Sequence, residues 1–226
     1  MGAVVVHSEH GRARLVGVLG IAERKVTVIP HGAFTHLLDV PGAQPLPAEL
    51  AAVEKPVVLF FGLLRTYKGL DVLLDAWRGA DLDAELWIVG MPRMDIATLR
   101  AGAPASVRWV PRFVGDHEIA AYFRRADLVV LPYREIDQSG VLFTALAFGS
   151  PLVLSAVGGF PEVAADGAAS LVAPGDPAAL ASELRRLLAD DGARAQLAAG
   201  ARAAAAGRYS WEAIAAAHLA LYETLS

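Results

Sequence analysis

The sequence of 226 residues contains no cysteine. Disulfides, thiol nucleophiles and zinc–thiolate sites are thereby excluded. It also lacks any run of 18 consecutive apolar residues, so no membrane-spanning helix is expected. Charge is scarce: 19% of residues are Asp, Glu, Lys or Arg, against 55% hydrophobic, a balance that excludes disorder as the main state. Net charge is −4, so binding of nucleic acid through a generic basic face is not expected. The start of the chain has an apolar run of four residues, 3–6, and no basic leader, so it does not read as a signal peptide. Val6 stands where a myristoylation signal needs Ser or Thr. These features suit a cytoplasmic protein. Several catalytic signatures are missing too. There is no G-x-x-x-x-G-K-[ST] loop, no G-x-G-x-x-G after a strand and no G-x-S-x-G elbow. His7 and His10 lie three apart, without the spacing or the acidic ligand of a zinc site, so no metal is expected.

What is present is a rhythm of short apolar runs alternating with amphipathic stretches. The runs fall at 4–6, 26–29, 57–61, 85–89, 107–110, 128–131 and 152–154. They are continuous and rich in β-branched and aromatic residues, as in strands buried on both faces. Helices are predicted at 9–19, 69–78, 95–101, 116–125, 139–148 and 160–165. Repeated strand–helix units imply an α/β fold, a Rossmann-like doubly wound parallel sheet. After Val172 the pattern turns helical at 176–189, 191–206 and 210–224, with Asp176 and Ser210 as N-caps. Pro41, Gly42, Pro45, Pro47 and Pro56 break the rhythm and mark 41–56 as a linker. The expected units are thus 1–40, too small to bury a core alone, the linker, a domain over 57–209 and a last helix in 210–226. Trp77, Trp87 and Trp109 read as core, and Trp211 as the anchor of the last helix.

In such folds ligands bind where strand carboxyl ends open into loops. The loop after Phe61 places Gly62, Arg65 and Lys68 before a helix start. Two cations beside free amides suit a diphosphate, because each neutralises a different oxygen pair, and cations that oppose the helix dipole need a reason. The plain alternative is a solvated turn. The loop after Leu131 carries Glu135, Asp137, Gln138, Ser139 and Gly140. Ser139 or Gln138 would cap the following helix, and the two carboxylates either hold sugar hydroxyls or are ordinary loop residues. Gly158, Gly159, Pro161 and Glu162 form a further turn into a helix, either an anion or hydroxyl site or a tight turn whose Glu162 complements the dipole.

The segments 28–32 (Val-Ile-Pro-His-Gly), 61–71, 126–132, Gly149-Ser150-Pro151 and 158–162, in this order, resemble the donor-binding half of GT-B glycosyltransferases, in particular the retaining family 4 group. The resemblance covers about residues 4 to 225. It implies the C-terminal half of a GT-B fold with extra C-terminal helices. It also implies a UDP- or GDP-linked sugar as donor, no cofactor, no catalytic metal, and transfer of a hexosyl group to a glycan or lipid-linked acceptor. By resemblance Arg65, Lys68 and Glu135 are catalytic. The donor contacts would come from Gly62, Asp137, Gln138, Ser139, Gly140, Val141, Thr144 and Glu162, with Arg112 and Phe113 bordering the nucleobase.

Two departures stand out. The family's pair of glutamates eight apart is replaced here by Ile136 and Thr144. The first domain of a GT-B enzyme is represented only by residues 1–40. The acceptor domain is then expected on a missing part or a separate subunit, with any peripheral membrane contact through that absent half. The last helix would show an uncovered apolar face, a surface that also suits a dimer. The rival expectation is a non-catalytic GT-B-derived module that binds nucleotide or a protein partner.

Overall fold

Val57 to Phe61 have no polar side chain among them, and all five are buried. This strand sits in the middle of a six-stranded sheet whose two faces are both covered, which is why its sequence does not alternate. The computed structural model describes residues 2–225. In chain order the elements are β1 (Val4–Val6), α1 (Glu9–Leu19), β2 (Val26–Val28), α2 (Ala48–Ala51), β3 (Val57–Phe61), α3 (Leu70–Ala80), β4 (Glu85–Val89) and α4 (Ala97–Ala101). They continue with β5 (Val107–Val110), α5 (Asp116–Arg125), β6 (Leu128–Leu131), α6 (Gly140–Ala147), β7 (Leu152–Ser155), α7 (Phe160–Ala165), β8 (Ala169–Val172), α8 (Pro177–Leu188), α9 (Asp191–Ala206) and α10 (Trp211–Leu225).

The large sheet has the order β5-β4-β3-β6-β7-β8, and every pairing is parallel. The expected doubly wound α/β fold is what forms. The order reverses between β3 and β6, so the loops leaving these two neighbours diverge and open a crevice at their carboxyl ends. Helix α3 packs on α8, and α6 packs on α9. Separately, β1 and β2 form a two-stranded parallel sheet joined by α1.

Asp176 caps α8 by accepting from the Ala178 and Ala179 amides, and the Ser210 hydroxyl accepts from the Ala213 amide at 3.2 Å. Some expectations need correction. Strand β8 was not anticipated: it is a short edge strand whose central side chains are only partly covered, so its apolar signal is weak. The proline-rich stretch holds the single turn α2, whose Leu50 is buried in the core. Trp77 and Trp87 are core, but Trp109 is half-buried, with the Arg100 guanidinium 5.9 Å from its ring.

Residues 33–37 join the same core as the large sheet through Ala33 and Leu37. The Ala33 amide donates to the Tyr209 carbonyl at 2.7 Å. Trp211 does anchor α10: its ring lies against Gly32, where a β-carbon would stand 2.6 Å from the indole, and beside His31. Beyond that anchor α10 buries only Ile214, leaving Leu219 62% exposed. Among the described residues no helix is long and apolar enough to cross a membrane.

Candidate donor-binding site

The crevice at the reversal is built by two loops in backbone contact. After β3 the chain turns at Gly62 and runs through a 3-10 turn, Thr66–Lys68, into Gly69 and α3. Gly69 has φ 68°, and a β-carbon there would collide with the Pro132 carbonyl oxygen. Only glycine tolerates both that conformation and that approach. The two loops are also tied by the Arg134 amide, which donates to the Tyr67 carbonyl at 2.8 Å. The Arg134 guanidinium then grips Asp71 at the start of α3 with two bonds of 2.7 and 2.6 Å.

Lys68 is the centre of this arrangement. Its side chain is buried, 6% exposed, with the ammonium 5.2 Å from the centre of the Tyr133 ring. A β-carbon on Gly62 would stand 3.0 Å from the Lys68 Nζ and 2.9 Å from the Val141 Cγ2, so Gly62, Lys68 and Val141 converge on one point. Among the described residues no carboxylate pairs with Lys68. Burial first, and the nearby Arg65 charge second, pull its pKa down to about 8. A buried ammonium without a counterion is costly, and an anion relieves that cost.

The second positive feature is the start of α6. Ser139 occupies the N-cap position, but its side chain makes no capping bond. Gln138 does not cap either, because its amide donates to the His7 carbonyl at 3.1 Å. The expected side-chain cap is therefore absent. Among the described residues the Gly140 and Val141 amides have no acceptor, at the end of the helix where the dipole is positive. Lys68 and Val141 meet at Gly62, which places the ammonium beside the start of α6. A cation beside open helix-start amides suits an anion of phosphate type.

Residues 55–190 match the model of the family described as glycosyl transferases group 1. The chain belongs to this family. A D-inositol 3-phosphate glycosyltransferase from Xylanimonas cellulosilytica is 32% identical over 97% of this chain, which spans 56% of that protein. The chain thus covers little more than half the length of this curated relative. A sucrose-phosphate synthase from Thermosynechococcus elongatus superposes with TM-score 0.82 at 26% identity, over 99% of this chain and 58% of that one. The Anabaena HepE protein, solved in complex with UDP, superposes with TM-score 0.83 at 22% identity, over 99% of this chain and 63% of that one. Over the part that it spans, the chain has the Rossmann-like fold of GT-B glycosyltransferases.

Within this group 1 chain the remaining predicted residues divide. Glu135 is exposed and, among the described residues, without a partner; it lines both a cavity of about 670 Å³ and one of about 690 Å³. Arg65 lines the second cavity, also without a carboxylate partner among the described residues. Phe113 is 66% exposed after β5, an open aromatic face, while Arg112 beside it is held by Glu118. Others are occupied by the protein itself. Asp137 pairs with Arg14 at 2.9 Å and faces His10 at 3.8 Å. The Thr144 hydroxyl donates to the Gly140 carbonyl, one turn back in α6, at 2.9 Å. Glu162 accepts from the Glu9 amide at 2.9 Å and pairs with Arg208 at 3.1 Å. Three of the family-derived positions therefore tie α1, α6 and the 208 segment in place.

Sequence reasoning passed over Arg93, which follows β4 and shares the second cavity with Arg65. It also passed over His10 and Arg14, which line the first cavity from α1. The signal for Arg93 was its place in a loop at a strand carboxyl end. His10 and Arg14 gave none, because they reach the crevice from a separate sheet. Among the described residues no three His, Asp or Glu side chains gather as a metal-binding group.

Proposed function

We propose that this chain is the donor-binding part of a retaining hexosyltransferase that takes a UDP-linked sugar without a catalytic metal. The observation that carries the reading is Lys68: a buried, unpaired ammonium set against the open start of α6. In this reading the diphosphate lies between them, and Arg65 adds a second cation. Charge that develops on the leaving diphosphate is met by groups already in place, so little reorganisation accompanies bond cleavage. Glu135 sits beside the sugar, and Phe113 offers a face for the base. The UDP held by the HepE neighbour supports the choice of base. Transfer needs an acceptor opposite the donor. An acceptor-binding part outside the residues described here supplies it in this reading, and the inositol phosphate in the relative's name makes a phosphorylated polyol a reasonable acceptor.

The test is a calorimetric titration of the chain with UDP, GDP and ADP in the presence of a chelator. Saturable binding of UDP alone is expected. Binding that requires magnesium would overturn the metal-free reading, and no binding by any nucleotide would overturn the donor reading. One observation favours a second reading, a nucleotide-binding module without transfer activity. Thr144 stands where the family has a glutamate, and its hydroxyl proton is engaged within α6. Turnover of UDP-glucose with an acceptor domain added in trans would remove that alternative.

A further inference from the structure

The loops after β3 and β4 are laced together. The Leu64 amide donates to the Met91 carbonyl at 3.0 Å, and the Arg93 amide donates to the Leu64 carbonyl at 2.9 Å. Leu64 and Pro92 pair as a parallel bridge. Arg65 and Arg93 therefore leave one short ladder as neighbours, and both line the cavity of about 690 Å³. Among the described residues neither guanidinium has a carboxylate partner. The third arginine on the wall, Arg134, is neutralised by Asp71. Thr66 adds a hydroxyl, and Glu135 is the one carboxylate on the wall without a partner. Lys68 does not line this cavity; it is buried on the side of Gly62 and Val141.

The wall thus carries two uncompensated guanidinium groups against one free carboxylate. Guanidinium groups grip phosphoryl and carboxylate oxygens with two bonds each. Their planar forks are pre-organised, so less freedom is lost per bond than with an ammonium. We infer that the Arg65–Arg93 cavity is a second oxyanion subsite, adjoining the diphosphate position at Lys68, sharing Arg65 with it and completed by Arg93, for a phosphoryl or carboxylate group on the second substrate. That the oxyanion belongs to a second substrate rests on the glycosyl-transfer reading; the cavity's affinity for an oxyanion does not.

The test is an NMR titration of the full chain, saturated with UDP, following the arginine Nε–H signals. Inorganic phosphate is the first titrant and malonate the second; the tighter of the two names the group. Saturable shifts at Arg65 and Arg93 are expected. Arg93→Gln is expected to weaken the anion by about ten- to a hundredfold, the effect of one charged hydrogen-bonding group, and to leave UDP affinity unchanged. Arg93→Lys should fall between. The Arg93 side chain is exposed and unpartnered, so neither variant threatens the fold. Three results would overturn the inference: no saturable binding, binding that Arg93→Gln leaves intact, or phosphate that displaces UDP and so shares its site. Should UDP fail to bind, the same titration is run without it. Phosphate binding that depends on Arg93 would then keep the subsite while the donor reading falls.

Discussion

Helices α1 and α3 both have 11 residues, yet α1 buries none of them and α3 buries seven. By local chemistry α1 is the better helix. Its Ser8 side chain accepts from the Gly11 amide, and Gly20 closes it in the left-handed conformation. Helix α3 begins at a glycine with no side-chain cap. The difference lies in spacing. Leu70, Leu73, Leu74 and Trp77 repeat on one face of α3, whereas Gly11 and Gly17 interrupt the apolar residues of α1. Caps fix where a helix starts and stops, and burial decides how much it contributes. The segment with β1, β2 and α1 is locally well specified and poorly covered, while the six-stranded region is the reverse.

The largest difference should come from truncating one apolar side chain in each helix. Leu73→Ala in α3 is expected to destabilise by about 2–5 kcal/mol in urea unfolding. Val18→Ala in α1, where the side chain is 77% exposed, should stay within about 0.5 kcal/mol. Equal losses would break the comparison. The glycines offer a second contrast. Gly20 and Gly69 have φ of 64° and 68°, but a β-carbon on Gly20 meets nothing within 4 Å. Gly20→Ala should cost about 1 kcal/mol from backbone strain alone. Gly69→Ala should cost several times that, because its methyl has to displace the Pro132 carbonyl.

Lys68 gives a smaller effect with a distinctive sign. Its folded pKa is about 8, against 10.5 ordinarily. Between those values the unfolded chain holds the proton and the folded chain does not, so stability rises with pH across that window. Diphosphate binding needs the charged form and should weaken as pH rises through 8. Lys68→Met should remove both slopes and stabilise the apo chain by about 1–2 kcal/mol, since it replaces an unpaired buried charge with an apolar side chain. Urea unfolding from pH 7 to 10.5 checks it. A small effect is expected at Arg134. Its pair with Asp71 is partly exposed, at 40% and 49%, so Arg134→Gln should cost at most about 1 kcal/mol in the same assay.

Strands and helices were readable where burial leaves an imprint on composition. The runs at 57–61 and 128–131 could be little else, and they frame the crevice. Strand β8 was not readable, because an edge strand with partly covered side chains carries a diluted pattern. The loop positions were found, but not the fate of each side chain. Nothing near Lys68 in sequence announces its burial, which depends on Tyr133 and Val141 from distant segments. Asp137 and Glu162 give no sign in the sequence of the bonds that hold them. Their partners, Arg14, Glu9 and Arg208, arrive from elements far apart in the chain. Arg93 was hidden for the same reason, since its neighbour Arg65 lies 28 positions away.

The most direct test of the central claim pairs binding with stability in one variant. Wild type and Lys68→Met are titrated with UDP at pH 7 without divalent cations, and both are melted in the absence of nucleotide. Lys68→Met is expected to melt higher and no longer to bind UDP. A variant that melts lower, or that binds UDP as wild type does, would contradict the claim.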